Sequence, residues 1–198
     1  MSKIIEKFQQ FSFSKEKFLK RSEYRKLDRR WREIIYKIPI VDNINEFILI
    51  KFLLHFQTQI KQIQKFPFVF AYEFPIDPEM SNKGKLDLIL VNQDKNRVEY
   101  LIVEVKYLQN RTGPTSRESR RRKRRKVEQQ SSINRIKFQA LFPKAIVNSI
   151  FITNESFSQV RNLHQEYGDF AEKEWQKIYN IYPVLKDQRI SNEENPIK

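Results

Sequence analysis

The chain contains no cysteine, only three glycines and only two histidines. Without thiols there are no disulfides, no thiolate nucleophile and no cysteine zinc site. His55 and His164 lie far apart in sequence, which excludes a histidine metal cluster within one chain and disfavours a Ser/His/Asp triad. Gly84, Gly113 and Gly168 cannot build a glycine-rich phosphate loop, and GKLD at Gly84 lacks the upstream glycine of a Walker motif. The Asn/Asp-Pro-Pro-aromatic motif needed by a DNA-adenine methyltransferase is also missing. No apolar run approaches 18 residues, so no transmembrane helix is expected. The opening MSKIIEKFQQFSFSKEKF is mixed polar and aromatic and lacks a compact signal core, so secretion is not expected.

What the chain does have is positive charge. Its 198 residues carry a net charge of +14, with 39% hydrophobic and 31% charged side chains. Those fractions suit one globular domain with a helical extension. The charge implies a polyanionic partner, nucleic acid first and an acidic membrane surface second. The absence of cysteine fits a reducing compartment, nuclear in a eukaryote and cytoplasmic otherwise.

Residues 21–37 read as an amphipathic helix, with Tyr24, Leu27, Trp31, Ile34 and Ile35 at helical spacing and a basic opposite face that includes Arg29 and Arg30. Pro39 ends it. Residues 42–64 read as a long buried helix, with Asn43 and Glu46 spaced as a capping box. Strands follow at 67–77, 86–91 and 98–108, the last two forming a hairpin. A helix at 117–142, a strand at 145–153 and a helix at 157–182 with a break at Gly168 complete the pattern. The expected fold is α/β with a mixed sheet and helices on its faces. It divides into a basic helical extension at 1–41, a main domain at 42–182 and a polar tail at 183–198. The extension also offers a surface for protein partners.

Asp87 opens one strand of the hairpin, and Glu104 and Lys106 close the other. Residues two apart on a strand share a face, so Glu104 and Lys106 point the same way. Antiparallel pairing brings Asp87 beside them. Two converging carboxylates repel and favour a divalent cation, and oxygen-only ligands select Mg²⁺ or Mn²⁺. A nearby lysine stabilises negative charge on a phosphoryl group. The plainer alternative is an ion pair across a hairpin.

In this combination the chain resembles the PD-(D/E)xK nucleases, which include restriction endonucleases, Holliday-junction resolvases and VRR-NUC repair nucleases. The resemblance covers about residues 42–155. Asp87 matches the first acid, preceded by Leu86 rather than proline, and Glu104-Val105-Lys106 matches the (D/E)xK element. It implies a restriction-endonuclease-like αβββαβ core. It also implies Mg²⁺ or Mn²⁺ held by Asp87, Glu104 and the Val105 carbonyl, with Lys106 aiding an attacking water. Members often add an acid from the first helix, for which Glu46 is the candidate and Glu73 or Asp77 the competitors. Several add a glutamine from the helix after the motif, here Gln130 in preference to Gln129.

Eight of the ten residues in RESRRRKRRK are basic: Arg117, Arg120, Arg121, Arg122, Lys123, Arg124, Arg125 and Lys126. Such a block repels itself and should fray alone, but condenses on a phosphate backbone in a salt-dependent way. It also has the composition of a nuclear import signal. Nothing in it identifies readers of base edges, so backbone contacts to DNA are expected. Three functions follow: a metal-dependent deoxyribonuclease, a non-catalytic DNA-binding subunit of a larger assembly such as a methyltransferase or recombination complex, and an RNA-binding or RNA-processing protein.

Overall fold

The computed structural model describes residues 18–37, 43–76, 84–94, 97–108, 114–157 and 161–183. The segment before Phe18, the Pro39 boundary, the loop holding Asp77, the hairpin tip at Lys95 and Asn96, the turn at Gly113 and the tail from Val184 lie outside these residues. In chain order the elements are α1 (Arg21–Tyr36), α2 (Ile44–His55), β1 (Phe68–Pro75), β2 (Lys85–Asp94), β3 (Arg97–Lys106), α3 (Pro114–Leu141), β4 (Ile146–Thr153), a short 3₁₀ turn (Asn154–Phe157) and α4 (Arg161–Ile181).

The strands form one mixed sheet in the order β1-β2-β3-β4. β1 with β2 and β2 with β3 are antiparallel. β3 and β4 are parallel, as the α3 crossover between them requires. Central β3 is buried almost throughout because helices cover both faces of the sheet. On one face Phe138 of α3 lies 5.3 Å from the Tyr100 ring, and Tyr24 of α1 shares a 3.0 Å hydrogen bond with the Tyr100 hydroxyl. On the other, Phe47 of α2 meets Tyr72, and Phe52 of α2 packs edge-on against Tyr167 of α4. Among the described residues no helix is long and apolar enough to cross a membrane.

α1 is built into this core rather than appended to it. Tyr24, Trp31 and Ile35 are buried in the main cluster. Asp28 accepts the Val69 amide at 2.8 Å, satisfying the start of β1 where the ladder is irregular. Arg32 donates to the Leu54 carbonyl and to Gln57, joining α1 to the end of α2.

Several expectations are corrected. α2 stops at His55 instead of running to residue 64. Beyond it Gln57, Ile60, Ile63 and Phe66 are all buried, a spacing of three that suits successive tight turns better than an α-helix. Asn43 makes no side-chain cap, so the expected capping box is not formed. α4 runs without a break through Gly168. The basic run is helical, as read from the sequence, and belongs to the first turns of α3. The buried stripe of α3 is Val127, Ser131, Asn134 and Phe138, whereas Ile133 and Ile136 are 54% and 63% exposed.

This register of α3 is testable. Phe138→Ala removes a fully buried ring and should cost about 3–5 kcal/mol. Ile136→Ala should stay within about 0.5 kcal/mol of wild type. Urea unfolding of both variants checks this; comparable losses would mean that α3 is rotated.

Candidate functional site

The start of β2 sets the geometry. β2 pairs with β1 from Lys85 onward, but with β3 only from Leu88. Its first residues therefore splay away from β3, and the Asp87 side chain fills the gap. Asp87 Oδ2 accepts the Val105 backbone N–H at 2.7 Å, replacing the carbonyl that a continued ladder would supply. Extending the Leu88–Val103 register by one step brings Asp87 opposite Glu104. The two carboxyls are within hydrogen-bond reach of one another.

Glu104 is only 2% exposed, which an ionised side chain tolerates only with partners. Asn134 of α3 supplies one, donating from Nδ2 to Glu104 Oε1 at 2.8 Å. At the strand's end Lys106 is ion-paired with Glu46 of the first turn of α2. Freed from the helix cap, Glu46 thus faces the strand end. Asp87, Glu104, Lys106 and Glu46 gather at one end of the sheet.

Their charges are strongly coupled. Burial, then the neighbouring Glu104 charge, push the Asp87 carboxyl up to about 8. Glu46 adds to the rise, while the Val105 amide and Lys106 oppose it. Burial also raises Glu104, against the hydrogen bonds from Asn134 and Asp87. Burial and the like charges thus favour retention of one proton by the pair at neutral pH.

That retained proton tests whether a cation fits. Two hard oxygen donors with one charge too many suit Mg²⁺ or Mn²⁺, which need only one or two carboxylates beside water and phosphate. A closed cage is not built: among the described residues no group of three or more His, Cys, Asp or Glu side chains is arranged to hold a metal. The donor chemistry of the two carboxylates suits such an ion, and Asp87 and Glu104 are the residues that would hold it.

The other candidates fall elsewhere. Glu73 lies across β1 from Asp87 but is turned to Lys85 and the Tyr72 hydroxyl. Its φ of 47° is unusual for a non-glycine residue within a strand, and such strain concentrates at functional sites. Gln129 and Gln130 are exposed on α3. The amide that reaches Glu104 is that of Asn134, which the sequence reading passed over. Its signal was present: a polar residue on a buried helical stripe must find a partner.

Of the basic run, Arg120 and Arg124 form ion pairs with Glu155 of the 3₁₀ turn. Arg117, Arg121, Arg122, Lys123, Arg125 and Lys126 are exposed. α3 leads from the end of β3 to the start of β4, so its basic turns lie at the carboxylate end of the sheet. Arg124 precedes Asn134 by ten residues, about 15 Å along a helix. Arg29 and Arg30 are not brought there. They follow Asp28, which is bound at Val69, whose partner Leu90 is about 10 Å along β2 from Asp87.

Comparison with protein-family models finds no match, and no curated protein and no solved structure matches the chain.

The shared proton gives a pH dependence with a definite sign. In metal-free protein the folded state keeps a proton on Asp87 that the unfolded chain, with an ordinary value of 3.8, releases. This contribution to stability is complete below about pH 4 and is lost as the pH rises towards about 8. Asp87→Asn keeps an oxygen for the Val105 amide and gives Glu104 a permanent donor. In EDTA it should flatten the fall in Tm between about pH 5 and 8. At the alkaline end it should raise Tm by about 2–4 °C per kcal/mol gained. Superimposable profiles for the two proteins would contradict the shared proton.

Proposed function

We propose that the chain is a metal-dependent phosphodiesterase of the PD-(D/E)xK type acting on DNA. The observation that carries this reading is the meeting of Asp87, Glu104, Lys106 and Glu46 at one end of a four-stranded mixed sheet. The order helix, three strands, helix, strand around those residues supports a restriction-endonuclease-like core. The exposed arginines and lysines at the same end favour a polyanion as substrate.

Asp87 and Glu104 would hold Mg²⁺ or Mn²⁺, with the Val105 carbonyl as a further oxygen. A cation bound there supplies Lewis-acid stabilisation of charge on a phosphodiester oxygen. Val105 N–H and Asn134 Nδ2 fix the two carboxylates, so little reorganisation accompanies binding. The Lys106 ammonium orients the attacking water and offsets negative charge developing on the phosphate. Glu46 steadies Lys106 through their ion pair. The basic turns of α3 bind the nucleic-acid backbone without reading sequence.

One observation favours a non-catalytic DNA-binding subunit instead. Every member of the site is already engaged within the protein: Asp87 by Val105, Glu104 by Asn134 and Lys106 by Glu46. Such a site can persist as a structural polar cluster.

Labelled duplex, single-stranded and branched DNA incubated with Mg²⁺ or Mn²⁺ separates the two. Wild type should cut at least one substrate, and Asp87→Asn and Glu104→Gln should lose about 10²–10³-fold or more in rate while still binding DNA. Lys106→Met should lose a comparable factor. Undiminished cutting by the carboxylate variants would overturn the assignment. Salt-sensitive binding with no cutting by any protein would establish the non-catalytic reading.

A further inference from the structure

Among the eight basic side chains of residues 117–126, Arg120 and Arg124 stand apart because they converge on one carboxylate. They are one helical turn apart, so their guanidinium groups share a face of α3. Arg120 Nε lies 3.8 Å from Glu155 Oε1, and Arg124 is paired with Glu155 Oε2. Glu155 sits two residues beyond Thr153, which is the register partner of Lys106. The contact thus lies beside the end of β3 that carries Lys106, within the basic turns of α3.

The position of Glu155 does not depend on the arginines. Asn154 bonds both the amide and the carbonyl of Leu108, at 2.7 and 3.1 Å. Ser156 Oγ accepts the Thr153 amide at 2.9 Å. The turn is therefore held by its own neighbours. The ion pairs are partly solvated, with side-chain exposures of 24% for Arg120, 47% for Arg124 and 30% for Glu155. Ion pairs this wet are weak and exchangeable. A phosphate offers the same charge sign with more acceptor oxygens, arranged for guanidinium forks.

We propose that Arg120 and Arg124 form a phosphate-binding subsite whose resting occupant is the Glu155 carboxylate, displaced when a nucleic-acid backbone enters. This rests on the nucleic-acid reading above and adds a defined anchor point to it. Glu155 also discriminates: a polyanion must outcompete it, which weakens chance contacts more than contacts that engage the neighbouring site.

The test is binding of a labelled 20-base-pair DNA duplex in EDTA across a salt series. Glu155→Gln should bind about 3–10-fold more tightly than wild type. Its plot of log affinity against log salt should steepen by up to about 0.9, because no freed carboxylate then takes up a cation as the phosphate enters. Glu118→Gln makes the same charge change within the basic run and should give a smaller gain with no change of slope. In an Arg120→Gln/Arg124→Gln background, Glu155→Gln should change neither quantity. Equal gains from Glu155→Gln and Glu118→Gln, or a gain that survives loss of both arginines, would overturn the subsite. So would unchanged or weaker binding by Glu155→Gln. If wild type binds duplex while Glu155→Gln gains nothing, only the subsite fails. If wild type binds no duplex at any salt, the nucleic-acid reading fails with it.

Discussion

Two carboxylates are forced together where β2 parts from β3. The splayed strand leaves the Val105 amide without a ladder acceptor, and Asp87 fills that role with its side chain. Doing so brings it against Glu104, which is buried and held by Asn134. Neither acid can move far without leaving a buried polar group unpaired, a loss of about 1–3 kcal/mol. The repulsion is therefore built in, and a proton relieves it in the metal-free protein. α3, through Asn134, and the β2–β3 pairing hold this unfavourable pair in place. Carboxyls raised by burial and a like charge are concentrated at functional sites.

Charge is distributed along the molecule in a complementary way. Asp87, Glu104 and Glu46 lie at one end of the sheet, and the basic turns of α3 begin beside them. No acid lies in the first turn of α3, so the positive end of the helix dipole adds to the arginines. The partial neutralisation by Glu155 is the compensation visible within the protein. Away from this end, stability comes from ordinary sources. Tyr24, Phe70, Tyr100, Phe138 and Phe142 form a contiguous aromatic cluster on one face of the sheet. The buried Lys51–Glu174 pair, at 2.6 Å, ties α2 to α4.

Much of this was legible in the sequence because the relevant signals are local. The hairpin was readable from two apolar runs around a polar turn, and period-two alternation fixes which acids share a face. The helices of the crossover and the C-terminal segment were likewise marked by their periodicity. What escaped depends on contacts distant in sequence. Glu46 was read both as a capping residue and as the site acid of the first helix, and its partner, a lysine 60 positions on, could not be read from spacing. The end of α2 was misread because a spacing of three and one of 3.6 cannot be told apart over two turns. The polar Asn134 lies on the buried stripe of α3, and the position of Glu104 across the interface explains it.

The measurement closest to the central claim is calorimetric titration of Mg²⁺ or Mn²⁺ into metal-free protein near neutral pH, in buffers of different ionisation enthalpy. If the carboxylates share a proton that a cation replaces, wild type takes up the ion with release of up to about one proton. Asp87→Asn and Glu104→Gln should then lose both the uptake and the proton release. Absence of uptake by wild type, or uptake unchanged in those variants, would contradict the account.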